Sequence, residues 1–175
     1  LLLDVDGVLT DGNLIYSGES GEAKSFNTQD GFGLRLLREA GIDVGIITAR
    51  ESAVVARRAA ELKMNYIYQG MGNKNEAFKQ IMRASGLKPF EVAYMGDDWL
   101  DLVLLQQVGL AIAPANGARE VREVAHFITE RTGGVEEIRQ AVHEIAGEGA
   151  DFIKIFASES IRTGGTPTLS QEQLD

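Results

Sequence analysis

Short apolar runs alternate with amphipathic stretches along most of the chain. Residues 1–5 read as a buried strand, and residues 44–47, 92–95 and 110–113 repeat the pattern. Residues 30–40 set Phe32, Leu34, Leu36 and Leu37 on a helix that Gly41 ends. Residues 51–62 and 74–85 read as further helices, the second closed by Gly86. Residues 65–68 form a short strand, and residues 99–107, 118–124 and 127–128 continue the alternation. Residues 14–16 and 23–26 flank a polar, glycine-containing stretch and predict a β-hairpin with a longer loop. Near the end, apolar residues at 135, 138, 142 and 145 form a helical stripe over 135–145.

Strands that alternate with helices predict an α/β fold: a doubly wound, Rossmann-like parallel sheet with helices on both faces, plus the hairpin after strand one. In such sheets ligands bind beyond the carboxyl ends of the strands. Composition narrows the ligand. The chain has 175 residues, of which 44% are hydrophobic, enough for one domain with a core. Its 17 basic and 26 acidic residues give a net charge of −9, which argues against nucleic acid and anionic membranes. Without cysteine there is no disulfide framework, thiolate zinc site or Cys nucleophile. No apolar run is long enough to span a bilayer and no signal peptide is visible, so a cytoplasmic protein is expected.

The strand ends carry candidate chemistry. The first ends in Asp4 and Asp6, the second in Thr48, with Arg50 just beyond. Lys74 opens the helix after residues 65–68, and a later strand ends in Asp97 and Asp98, with Asp101 three further on. Clustered carboxylates repel unless a divalent cation sits among them, and an all-oxygen set favours magnesium. Such a set suits phosphoryl transfer. One carboxylate attacks phosphorus, a second moves the proton, and Thr48 and Lys74 stabilise charge on the transferring group. Gly7 lets the backbone approach that group.

Asp4-Val5-Asp6-Gly7-Val8-Leu9-Thr10 resembles the first motif, DxDGxxT, of the haloacid dehalogenase-like phosphohydrolases. Ile46-Ile47-Thr48, Lys74 and Gly96-Asp97-Asp98-x-x-Asp101 resemble the second, third and fourth motifs, in order. The resemblance covers residues 1–146. It implies Asp4 as nucleophile, Asp6 as general acid/base, and Mg2+ held by Asp4, the main-chain carbonyl of Asp6, and Asp97. Asp98 and Asp101 are implied as supporting carboxylates.

Thr10 and Thr48 are separated by 37 residues, and Thr48 and Lys74 by 25. Neither gap has room for the cap domain that many members insert. The resembling capless subgroup forms homotetramers in which the hairpin over 14–26 builds a central barrel and neighbours cover each active site. Thr10-Asp11-Gly12, residues 26–33, Tyr68-Gln69-Gly70 and Arg131-Thr132-Gly133-Gly134 resemble the branch that dephosphorylates an eight-carbon keto-sugar acid. Related members act on nine-carbon 2-keto acids. Val135-Glu136-Glu137 and Asn73-Lys74-Asn75 depart from that branch, leaving the catalytic set intact and bearing on the substrate. Arg50 and Lys24 are candidate contacts to a sugar-acid carboxylate or hydroxyls.

A non-catalytic phospho-acceptor domain is the alternative from another class, since receiver domains also use an acidic cluster, a Thr and a Lys. They lack the Asp4-x-Asp6 pair that supports turnover. Residues 147–175 fall outside the resemblance and are expected to be a tail: a free arm, a segment packed on its own subunit, or a cover for a neighbour's site. Gly149 to Phe156 and Arg162 to Pro167 resemble part of a metal-dependent amidohydrolase but lack its ligands. Leu1 is not a start Met and the chain opens inside an apolar run, so an excerpt of a longer chain is expected.

Overall fold

The computed structural model describes residues 1–17, 21–135 and 138. Six parallel strands form the main sheet: β1 (Leu2–Leu3), β4 (Gly45–Ile47), β5 (Tyr66–Tyr68), β6 (Ala93–Met95), β7 (Leu110–Ala113) and β8 (Phe127–Ile128), in the order β5-β4-β1-β6-β7-β8. The antiparallel pair β2 (Ile15–Ser17) and β3 (Gly21–Ala23) stands apart as the hairpin. The helices are α1 (Thr28–Glu39), α2 (Ala53–Glu61), α3 (Lys74–Ser85), α4 (Leu102–Leu105) and α5 (Arg119–Val124).

Side chains alternate across the strands, so two cores form. Leu3, Ile46 and Met95 pack with Leu34, Leu37, Val55 and Ala59 beneath α1 and α2. Leu2, Ile47 and Tyr94 pack with Phe78, Ile81, Leu104 and Val121 beneath α3, α4 and α5. The chain winds outward from β1 to β4 and β5, then returns to β6 on the other side of β1. That reversal opens a crevice at the carboxyl end of the central strand.

The sequence expectations hold with local shifts. Residues 10–48 are used by the hairpin and α1, and residues 48–74 by α2 and β5, so among the described residues no cap is inserted. The second hairpin strand lies at Gly21–Ala23 rather than 23–26, because Phe26 leaves the hairpin to pack on the core. Residues 99–107 begin as a 3-10 turn, Trp99–Asp101, before α4. Most of the predicted helix 135–145, and the boundary at 146/147 with the tail beyond it, lie outside the described residues. Ile138 is described: it is buried, and its N–H donates to Asp30 Oδ1 at 3.1 Å. Among the described residues no helix is long and apolar enough to cross a membrane.

Candidate active site

Register brings the strand ends together. Leu3 is level with Ile46 on one side and Met95 on the other. Asp4, Thr48 and Asp97 therefore emerge side by side at the same edge. The Asp4 N–H donates to the Met95 carbonyl at 2.9 Å, extending the pairing by one residue. Thr48 is buried and fixed through its backbone, donating to Tyr68 O at 2.9 Å and accepting from Met71 N at 3.0 Å. Gly7 has φ +84°, and a Cβ there would lie 2.0 Å from Asp97 Oδ2. Its missing side chain thus makes room for the Asp97 carboxylate, a nearer demand than room for a transferring group.

Lys74 opens α3 after Asn73, whose side chain caps the helix by accepting from Asn75 N at 3.2 Å. A cation at a helix N-terminus opposes the helix dipole. Here two carboxylates offset that cost: Lys74 Nζ lies 2.9 Å from Asp4 Oδ2 and 2.6 Å from Asp101 Oδ1. Burial alone would lower the lysine pKa, but Asp4 and Asp101 hold it above its ordinary value.

Asp101 and Asp98, paired in the sequence expectation, have separate places. Asp101 is fully buried and accepts from four donors. Lys74 Nζ and Tyr94 Oη donate to its Oδ1, and the N–H groups of Asp97 and Asp98 donate to Oδ2 at 3.1 Å each. Asp98 is exposed and accepts from Trp99 N at 2.7 Å, capping the 3-10 turn.

Asp4, Asp97 and Asp101 each place an oxygen within 4.8 Å of the others. The four donors on Asp101 leave Asp4 and Asp97 as the open pair. Asp4 Oδ1 and Asp97 Oδ1 are buried and accept no hydrogen bond. Burial, then the charge of Asp101, raises the Asp4 pKa to about 6. Burial, then Asp4 and Asp101, raises that of Asp97 to about 7. Two converging, desolvated carboxylate oxygens that resist ionisation fit a hard divalent cation.

The Asp6 carboxylate takes other partners. Lys24 Nζ donates to Asp6 Oδ1, and Arg50 Nε lies 3.6 Å from Asp6 Oδ2. The Lys24 side chain is 1% exposed and that of Arg50 is 42% exposed. Of the two expected substrate contacts, only Arg50 faces outward; Lys24 is turned in against Asp6.

Sequence reasoning passed over three contributors. Tyr94 stood as one more residue of a core strand, yet its hydroxyl donates to Asp101 and accepts from Lys74 at 3.3 Å. The signal was a polar tip in a strand buried on both faces, which must find a partner. Glu22 on β3 contacts both Lys24 and Arg50, at 3.4 and 3.2 Å. Asn116 Oδ1 accepts from Gly133 N at 3.1 Å, and Gly134 N donates to Val8 O at 2.9 Å. A Cβ at Gly133 would come within 1.9 Å of Gly7 O, so this glycine pair lies directly on the loop after β1.

Residues 61–136 match the haloacid dehalogenase-like hydrolase family. The chain is 41% identical over 141 residues to the 3-deoxy-D-manno-octulosonate 8-phosphate phosphatase KdsC of Escherichia coli K12, covering 80% of this chain and 74% of that one. Among solved structures it is similar to the 3-deoxy-D-manno-octulosonate 8-phosphate phosphatase of Moraxella catarrhalis in complex with magnesium, phosphate and KDO. That likeness has a TM-score of 0.81 and 39% identity and covers 90% of each chain. The corresponding phosphatase of Yersinia pestis aligns with a TM-score of 0.80 and 34% identity, over 97% of this chain and 85% of that one. With its strand-end carboxylates, buried lysine and parallel sheet, this chain belongs to the haloacid dehalogenase-like hydrolases, in the family of the 3-deoxy-D-manno-octulosonate 8-phosphate phosphatases.

Proposed function

We propose that this chain is a magnesium-dependent phosphomonoester hydrolase acting on 3-deoxy-D-manno-octulosonate 8-phosphate, releasing the sugar acid and inorganic phosphate. The observation that carries the reading is the pair of buried, unpartnered oxygens Asp4 Oδ1 and Asp97 Oδ1 beside Lys74 at the crevice. Asp4, the main-chain carbonyl of Asp6, and Asp97 would hold Mg2+, which when bound neutralises charge on the carboxylates and the phosphate.

Asp4 attacks phosphorus and becomes an aspartyl-phosphate as the bond to the sugar oxygen breaks. Asp6 gives its proton to that departing oxygen. In the second half Asp6 takes a proton from water, whose oxygen attacks phosphorus, releases phosphate and restores Asp4. Lys74 favours the ionised form of Asp4 against its burial and places it, and Thr48 donates to phosphate oxygens. Asp101 positions Lys74 and the loop that carries Asp97, and Asp98 caps the following turn. Gly7, in the loop after β1, leaves room for the Asp97 carboxylate, and Arg50 faces the solvent side where a sugar-acid carboxylate would sit.

The test is phosphate release with magnesium from a panel of phosphorylated eight- and nine-carbon 2-keto acids and para-nitrophenyl phosphate. The eight-carbon ester should give the highest kcat/KM, and preference for a nine-carbon ester would reassign the substrate. Asp4→Asn should lower turnover roughly 10³-fold or more with the fold intact. Stable phosphorylation without turnover in the wild type would instead favour the phospho-acceptor reading.

The same reading includes a homotetramer. Leu14, Ile15 and Tyr16 on the hairpin are 43%, 48% and 73% exposed, and among the described residues β2 and β3 pair only with each other. An isolated two-stranded hairpin is marginal in water, and a capless crevice needs cover. Light scattering at assay concentration should give four times the chain mass, and a monomer would refute the assembly.

A further inference from the structure

The contacts around Asp6 close into a ring. Lys24 Nζ donates to Asp6 Oδ1 and lies 3.4 Å from Glu22 Oε1. Arg50 Nη2 donates to that same Glu22 oxygen at 3.2 Å, while its Nε lies 3.6 Å from Asp6 Oδ2. Basic and acidic side chains alternate around the circuit. Each Asp6 oxygen faces a different cation, so rotation of the carboxylate would break a contact at either end. Glu22 ties the two cations together, and Ser52 beside it helps hold its carboxyl below the usual carboxylate range.

The ring has an inner and an outer arm. Lys24 is closed off from solvent, while the side chains of Glu22 and Asp6 are about one-fifth exposed. A lysine without solvent access does not reach a substrate in the crevice. What it touches is Asp6 and the glutamate behind it.

We infer that Glu22 and Lys24 are positioning residues for Asp6: β3 and the residue after it hold the Asp6 carboxyl group, through this ring, in the orientation from which it serves the leaving oxygen. The inference rests on the phosphatase reading and on Asp6 as general acid. It gives the hairpin a catalytic consequence within its own subunit, separate from any assembly it supports. A general acid contributes only when it lies within hydrogen-bond reach and in line with the atom it serves. A freely rotating Asp6 would lose that alignment while Asp4, Lys74 and Asp97 stayed in place.

The need for a proton depends on the leaving group, so a series from para-nitrophenyl phosphate to phenyl phosphate reads the orientation of Asp6 directly. Neither ester has a carboxylate, so contacts to a sugar acid play no part. We compare kcat/KM, which reports the phosphoryl transfer step, for wild type, Glu22→Gln and Lys24→Met with magnesium. Both variants should lose about tenfold more on phenyl phosphate than on para-nitrophenyl phosphate. In an Asp6→Asn background the same changes should cost less than about twofold, because the group they orient is gone. Glu22→Gln conserves shape at a partly exposed position and carries the test alone if Lys24→Met does not fold. Equal losses on the two esters, no loss, or a loss confined to the sugar-acid phosphate would overturn the positioning role while the phosphatase reading stands. Failure of the wild type to hydrolyse any of these esters would overturn both.

Discussion

Replacing Asp101 by Asn keeps the size of the side chain and removes one charge. The carboxylate has no exposure and receives four donors, two on each oxygen. An amide has a single acceptor oxygen. In one orientation its NH2 points at Lys74 and Tyr94; in the other it points at the N–H groups of Asp97 and Asp98. Either way donors meet donors in a dry site, and Lys74 loses one of its two counter-charges. Removing one partner of a buried pair costs about 3–5 kcal/mol. Asp4 remains 2.9 Å from Lys74, which points to the lower end. At about 2–4 °C per kcal/mol for a chain of this size, roughly 3 kcal/mol lowers Tm by about 6–12 °C. Thermal unfolding in chelator, followed by circular dichroism, measures this. Asp98→Asn is the control: Asn caps as well as Asp, so Tm should move by less than about 2 °C. Equal shifts for the two variants, or no drop for Asp101→Asn, would refute the distinction drawn between these carboxylates.

Asp4 and Asp97 have folded pKa values raised from 3.8 to about 6 and about 7. Their contribution to stability is therefore complete below about pH 4 and is lost as pH rises through 6 to 7. A bound cation reverses that loss, so the Tm increment from added Mg2+ should grow between pH 5 and pH 8, and an increment that shrank would count against the site. Gly7→Ala puts a Cβ against Asp97 at a φ of +84°. The backbone conformation alone costs about 1–2 kcal/mol. Displacing Asp97 should also raise the Mg2+ concentration for half-maximal activity about tenfold, read from a magnesium titration; an unchanged midpoint would show that Asp97 is not crowded.

Where local pattern and burial agree, the sequence was legible to the residue. Residues 74–85 and 110–113 carry clear periodicity and clear stops, and α3 and β7 have those bounds. The strand-end acids, Thr48 and Lys74 could be read because each follows an apolar run, and the parallel fold then brings them to one edge. Pairwise geometry was hidden. Nothing local says that Asp101 also meets Lys74 and Tyr94 while Asp98 faces water, because that depends on Lys74 arriving at the start of α3 and on Tyr94 turning its hydroxyl toward it. Lys24 read as a candidate contact to substrate; its burial follows from Asp6 and Glu22 approaching from two sides. The second hairpin strand shifted because Phe26 had the core as a competing destination.

The placement of β1 bears on the order in which the enzyme becomes competent. Asp4 and Asp6 are among the first residues of this chain, yet their strand lies in the middle of the sheet, paired with Gly45 and Ile46 on one side and Tyr94 and Met95 on the other. The loop after it is pinned by Gly133 and Gly134. As a ribosome extends such a chain, Asp4 precedes the strands that flank it in the sheet and waits for both. The groups that gather around Asp4, namely Lys74, Asp97 and Asp101, all lie far downstream. Contacts so distant in sequence form slowly. A half-made domain that lacks β6 therefore lacks Asp97 and Asp101 beside Asp4.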